Sequence, residues 1–160
     1  MPINNGDKLP QGSFMTMAAS GPQPISTDEV FKGKKVVLFS VPGAFTPTCS
    51  KKHLPGYLEK YDEFKQKGVD TIACLAVNDP FVMDAWSKSQ GADGKVLMLA
   101  DGNGEFTRAL GLELDASGFG MGKRSQRYAM IVKDGKIEQL MVEPGPGLNA
   151  SSADAMLEKL

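Results

Sequence analysis

Apolar residues fall along this chain in two alternating patterns. Residues 36–41 (VVLFSV) and 71–77 (TIACLAV) are short, continuous apolar runs, the signature of strands buried on both faces. Between them Leu54, Tyr57, Leu58, Tyr61 and Phe64 recur at helical spacing and mark one face of an amphipathic helix. Pro55–Gly56 should kink or thin the early part of that helix, because Pro55 has no N–H for the i−4 carbonyl. Asp79 and Pro80 read as an N-cap and first helical residue, leading a helix through Trp86. Val96–Ala100 predicts a further strand and Glu105–Leu110 a short helix. Residues 126–132 and 136–142 flank Asp134–Gly135, a strong hairpin signal. Ser151 or Ser152 can cap a last helix running to Leu160. Strand–helix alternation closed by a hairpin and a helix predicts an α/β layered fold with a mixed sheet. No repeat, low-complexity tract or long linker interrupts it, so one domain is expected over residues 1–160.

Composition narrows the functional classes. A chain of 160 residues buries roughly 70% of its unfolded surface and needs no staple to stay folded. Its two cysteines cannot build a disulfide framework in any case. Eighteen basic residues against nineteen acidic ones leave no basic excess for nucleic acid or for an anionic membrane surface. No apolar run approaches the ~20 residues needed to cross a bilayer. The opening residues, MPINNGDKLP, lack the charged and then apolar regions of a secretory signal, so a cytoplasmic, reducing setting is expected and both thiols should be free.

The informative stretch is Pro42-Gly43-Ala44-Phe45-Thr46-Pro47-Thr48-Cys49, between a predicted buried strand and a predicted helix. Thr46 is a suitable N-cap and Pro47 a suitable first helical residue. Cys49 then falls in the first turn, where free backbone N–H groups and the positive end of the helix dipole favour an anion. A thiolate is such an anion, and it is the reactive form of cysteine. A buried Cys can equally be a small hydrophobe, but here the cap, the proline and the strand-to-helix switch coincide. In the strand 126–132, alternation sets Arg127 on the face of Ala129 and Ile131, away from Tyr128, Met130 and Val132. A guanidinium on an apolar stripe is costly unless it meets an anion.

The spacing Pro42, Thr46, Cys49 resembles the peroxidatic signature of the peroxiredoxins. The fuller string VPGAFTPTCSKKHLPGY is similar to their type II (type five) subgroup, as are VNDPFVMDAW at 77–86, MLADGNGEFTRALGL at 98–112 and RSQRYAMIVKDGKIEQLMVEPG at 124–145. The resemblance covers nearly the whole chain. It implies a thioredoxin-like fold, a central mixed β-sheet flanked by helices, although the alternation alone fits other three-layer folds. It also implies reduction of hydrogen peroxide and alkyl hydroperoxides through a Cys49 sulfenic acid. By the same resemblance Thr46 holds the peroxide, Arg127 stabilises thiolate and developing oxyanion, and Pro42 shields the sulfur from water. No metal or prosthetic group is implied. Electrons would come from an external thiol, and relatives commonly form homodimers, for which Phe45, Phe81, Trp86 and Phe119 are candidate interface residues.

Cys74, mid-strand beside Ile72 and Ala76, reads as structural, with resolution of the sulfenic acid as its functional alternative. Some relatives carry a resolving cysteine in the loop after the final strand, but here that loop, EPGPGLNASSAD, has none. This favours a one-cysteine cycle recycled by glutathione, glutaredoxin or thioredoxin. His53, four residues after Cys49, invites a Cys–His hydrolase reading, against a structural role in orienting backbone near the turn. Cys49, His53 and Cys74 make no convincing zinc site. Gly94–Lys95 lacks the spacing of a phosphate loop, and Asp101–Glu105 is too short for a calcium loop. A peroxide-sensing switch or holdase working through Cys49 without sustained turnover is the non-enzymatic alternative.

Overall fold

A computed structural model describes residues 2–145 and 147–160. The strands are β1 (Ser13–Ala18), β2 (Gly21–Ser26), β3 (Lys35–Ser40), β4 (Thr71–Ala76), β5 (Val96–Ala100), β6 (Glu113–Asp115), β7 (Lys123–Ser125), β8 (Tyr128–Lys133) and β9 (Lys136–Val142). The α-helices are α1 (Thr27–Phe31), α2 (Leu54–Glu59), α3 (Tyr61–Gln66), α4 (Pro80–Gln90), α5 (Glu105–Leu110) and α6 (Ala153–Leu157), with a π-helical turn over Cys49–His53. Seven strands form one mixed sheet in the order β2-β1-β5-β4-β3-β8-β9, and β6 pairs separately with β7. The central strands β3, β4 and β5 run parallel, while β1, β2, β8 and β9 join antiparallel.

Strand alternation divides the sheet's side chains between two apolar layers. Val37, Phe39, Ile72, Cys74, Ala129 and Ile131 face Leu54, Tyr57, Phe64, Trp86 and Met156, from α2, α3, α4 and α6. Val36, Leu38, Ala73, Leu75, Met130 and Val132 face Phe31, Phe106 and Leu110, from α1 and α5. The first layer contains a ladder of rings. Phe39 stacks on Tyr57 with centroids 4.1 Å apart and planes within 1°, and Tyr57 stacks on Phe64 at 5.4 Å.

Local signals set most of the boundaries. Asp79 caps α4 by accepting from the Val82 N–H at 2.9 Å, with Pro80 in the first turn. The β8–β9 hairpin turns on Asp134 and Gly135, at φ of 49° and 77°, the paired left-handed residues that a two-residue turn of the I′ type requires. Ser152, rather than Ser151, caps α6, and that helix ends at Leu157, short of Leu160. The helix expected around Leu54–Phe64 is broken at Lys60. Its proline acts earlier than expected: a regular helix would drive the Pro55 ring into the Lys51 carbonyl. The chain widens instead into the π-turn, the Leu54 N–H reaching the Cys49 carbonyl. Trp86, a candidate interface residue from sequence, is wholly buried, and its indole N–H donates to Ser50 Oγ at 2.9 Å. Its place is the core, between α4 and the turn that carries Cys49.

Truncating the end of the aromatic ladder should be costly. Phe64→Ala is expected to lower unfolding free energy by about 3–5 kcal/mol, measured as a shift in the urea midpoint of the reduced protein.

Candidate active site

β3 ends at Ser40, and the chain enters the turn Val41–Thr48 at the C-terminal edge of the parallel strands. Val41 stays in register, its N–H donating to the Leu75 carbonyl at 3.1 Å. Asn78, just past β4, holds the turn from the side by accepting the Ala44 N–H at 2.9 Å. Phe45 sits in the left-handed region at φ 65° although it is not glycine. Such a conformation costs about 1–2 kcal/mol and persists only where neighbours impose it. The Ser50 N–H then bonds the Thr46 carbonyl at 2.9 Å, so Thr46 begins the helical run as its backbone position predicts.

The Thr46 side chain does something other than cap. Its hydroxyl lies 2.8 Å from Cys49 Sγ and 2.7 Å from the Gly43 carbonyl. The hydroxyl has one proton to share between these two acceptors. Arg127 approaches the same sulfur from the opposite end of the chain, Nη2 donating to Sγ at 3.1 Å. Its residue lies just before β8, which starts at Tyr128 rather than at 126. The face assignment holds nonetheless: Ala129 and Ile131 share the layer of Cys49, and Tyr128, Met130 and Val132 share the other. Pro42 is half-buried at the start of the turn.

Arg127 is 8% exposed, and among the described residues no carboxylate stands within 4 Å of its nitrogens. Its other amino group donates to His53 Nδ1 at 2.8 Å. Arginine can only donate, so Nδ1 must accept, and the proton of the neutral ring sits on Nε2. From there it reaches the Ser151 carbonyl at 3.0 Å, which also takes the Tyr57 hydroxyl at 2.8 Å. Ser151 is itself clamped. Glu143 accepts from the Ser151 N–H at 2.7 Å, the Ser151 hydroxyl at 2.7 Å and the Asn149 N–H at 2.9 Å. The Glu143 N–H closes the circuit on the Arg127 carbonyl at 2.9 Å.

Electrostatics fix the protonation states of this circuit. Burial first, and the Arg127 charge second, push His53 down to about 3, against the opposing pull of the Ser151 carbonyl and Glu143. Burial works against ionisation of Glu143, but the bonds from Ser151, Ala150 and Asn149 outweigh it and hold its carboxyl below the usual value. His53 therefore has a neutral ring with both nitrogens engaged, and it has no site left to accept a proton from Cys49. The Cys–His hydrolase arrangement is absent. Cys74 lies in the same apolar layer as Cys49; both are buried and free of disulfides. Burial, helped by the nearby Cys49 sulfur, pushes the Cys74 thiol well above its ordinary range. Among the described residues no cluster of His, Cys, Asp or Glu is arranged to hold a metal. A cavity of about 340 Å³ lined by Met15, Tyr61, Met83, Lys95 and Met98 contains none of the groups around Cys49.

Sequence reasoning missed Glu143, Ser151 and Asn78. Glu143 and Ser151 stand in a loop whose composition signals only a turn, and their partners lie as far as 98 residues away. Asn78 had a usable sign, a polar residue directly after a buried strand and before a helix cap.

The buried neutral imidazole has a consequence for stability. The unfolded chain takes up a proton at the ordinary histidine value of 6.5, whereas the folded chain does so only near 3. Between those values the unfolded state binds more protons, so stability present above pH 6.5 is lost as pH falls. The slope should approach about 1.4 kcal/mol per pH unit. Urea unfolding at pH 7, 6, 5 and 4 should show this loss, and His53→Gln should flatten it down to the carboxylate range.

Residues 4–157 match the Redoxin family. Peroxiredoxin-2B of Arabidopsis thaliana is 49% identical over 160 residues, covering 99% of both chains. Reduced Prx3 of Vibrio vulnificus, solved in complex with hydrogen peroxide, superposes with a TM-score of 0.95 at 50% identity over 98% of both chains. The antioxidant protein of Plasmodium falciparum, a 1-Cys peroxiredoxin, gives a TM-score of 0.92 at 34% identity over 98% of both. With sequence and fold shared from end to end, the chain belongs to the type II peroxiredoxins, thiol-dependent peroxidases with a thioredoxin-like fold.

Proposed function

We propose that this peroxidase reduces hydrogen peroxide and alkyl hydroperoxides through Cys49 alone and is regenerated by an external thiol. The observation that carries the reading is the buried Arg127 guanidinium, set 3.1 Å from the Cys49 sulfur with no carboxylate within 4 Å among the described residues. A cation withdrawn from water needs an anion, and a Cys49 thiolate supplies one. That thiolate attacks one peroxide oxygen along the O–O axis. A sulfur–oxygen bond forms, the O–O bond breaks, and its electron pair leaves with the distal oxygen, which takes a proton to become water or an alcohol. Sulfur is oxidised by two electrons to sulfenic acid. Arg127 Nη2, already aimed at the sulfur, lies where the charge leaving sulfur can be shared. The Thr46 hydroxyl can accept from the peroxide O–H while donating to the Gly43 carbonyl, which orients the attacked bond. Pro42, at the start of the turn, keeps water from the sulfur.

The return half of the cycle is assigned to an outside thiol because the chain has one other cysteine, Cys74. It is locked mid-strand, with its thiol pushed up and so poorly nucleophilic. Attack by glutathione on the sulfenic acid gives a mixed disulfide and water. A second thiol, from glutathione, glutaredoxin or thioredoxin, then releases Cys49 as thiol. Cys49 is buried, so a thiol of that size reaches it only when the first turn opens, and the π-turn over Cys49–His53 is the less regular segment that can yield. A reducing compartment such as the cytoplasm supplies the reductant and keeps both thiols free. Phe45, Phe81 and Phe119 are exposed, and they are the apolar surface on which we propose the homodimer forms. No prosthetic group enters the cycle.

Intact mass after one equivalent of hydrogen peroxide, then glutathione, tests the scheme in wild type and Cys74→Ser. A glutathione adduct on Cys49 in both proteins, with many peroxides consumed per thiol under excess reductant, is the expected result. An internal disulfide that disappears in Cys74→Ser would overturn the one-cysteine cycle. Consumption that stops at about one peroxide per Cys49 would point to a sensor instead.

A further inference from the structure

A second arginine stands against the Cys49 turn and takes no part in the chemistry above. Arg124 lies in β7, opposite Leu114 of β6. Its Nε donates to the Met121 carbonyl at 2.9 Å, which fixes the guanidinium plane. Nη1 is 3.1 Å from the point a Cβ on Gly43 would occupy, and Thr46 Cγ2 is 3.2 Å from that same point. The guanidinium therefore packs on the turn that holds Cys49, beside the residue that touches its sulfur. A Cβ at position 43 would press on both, and each would have to give by a few tenths of an ångström.

This cation is half-buried, and among the described residues no carboxylate lies within 4 Å of it. The acidic residues of its own small sheet are committed elsewhere. Asp115 takes Lys123 at 3.3 Å along with Ser117, and Glu113 stands 3.8 Å from Arg108. Phe45, two residues from Gly43 and held in its left-handed conformation, is 55% exposed, and Phe119, in the same loop as Met121, is 88% exposed. A fixed fork of N–H donors packed on the turn that carries Cys49 matches the two oxygens of a carboxylate.

We propose that Arg124 is an anion subsite beside Cys49 that binds the carboxylate of an organic reactant. The reactant is either a hydroperoxide bearing a carboxylate or a thiol reductant bearing one. The proposal rests on the peroxidase reading, and its test separates the two sources. In the oxidation arm, stopped flow compares a fatty-acid hydroperoxide with its methyl ester. In the reduction arm, it compares glutathione with 2-mercaptoethanol acting on the pre-formed sulfenic acid. Both arms use wild type, Arg124→Gln and Arg124→Lys.

The carboxylate-to-neutral rate ratio should fall roughly ten-fold in Arg124→Gln in one arm, which names the source, and Arg124→Lys should retain part of it. In wild type the same ratio should shrink as salt rises from low to physiological strength, a measurement that needs no variant. A ratio unchanged by both substitution and salt in both arms overturns the subsite. Failure of wild type to be oxidised by hydrogen peroxide would instead remove the peroxidase reading beneath it.

Discussion

A guanidinium withdrawn from water is the constraint around which this molecule is arranged. Arg127 is 8% exposed and, among the described residues, has no carboxylate within 4 Å, so its donors find acceptors inside the fold. One finds the His53 ring and the other the Cys49 sulfur. Everything that fixes these two acceptors becomes part of the site. His53 can accept only as the neutral Nε2–H tautomer, which needs an acceptor on its far side, and the Ser151 carbonyl fills that need. Ser151 stays in place because Glu143 holds both its N–H and its hydroxyl. The carboxylate that might have neutralised Arg127 directly is instead spent at a distance, positioning the residues between them. A direct ion pair would have satisfied the cation and left the sulfur without its help.

The fold serves this arrangement through its central strands. β3 and β4 bring the Cys49 turn and its Asn78 support to one edge of the sheet, and β8 and β9 bring Arg127 and Glu143 to the same place. The aromatic ladder Phe39–Tyr57–Phe64 ties β3 to α2 and α3 directly behind the site, and Tyr57 extends it to Ser151 with its hydroxyl. Core packing and the hydrogen-bonded circuit around Arg127 thus share residues. Trp86, from α4, fills the core while bonding Ser50, the neighbour of Cys49.

What sequence made legible follows from how local each cause is. Asp79–Pro80 and Asp134–Gly135 encode their structure within a few residues, and the buried strands β3, β4 and β5 show as unbroken apolar runs. The β1–β2 hairpin left no such trace. It lies at the sheet's edge and, apart from buried Phe14, is half-buried or exposed, with Pro22 and Pro24 in the outer strand, where proline is tolerated because no neighbour needs its N–H. The π-turn was half legible: Pro55 announced a disturbance, but the clash it avoids lies with the preceding residues, so the deformation fell before it. Thr46, Pro42 and Cys49 stand in one turn that resembles the peroxiredoxin signature, and Arg127 follows from the same resemblance and from its place on an apolar stripe; the structure brings Thr46 and Arg127 to the Cys49 sulfur. The Glu143–Ser151–His53 links could not be picked out, since each is a contact between residues whose types are ordinary where they stand. Trp86 misled because an aromatic residue in a motif says nothing by itself of which way its helix faces.

Stopped-flow oxidation of Cys49 by hydrogen peroxide in Arg127→Ala, beside wild type and with folding verified by near-UV circular dichroism, tests the central claim most directly. If the buried Arg127 cation stabilises both thiolate and departing oxygen, the second-order rate constant should fall by about a hundred-fold or more. A folded Arg127→Ala protein oxidised at close to the wild-type rate would contradict the account.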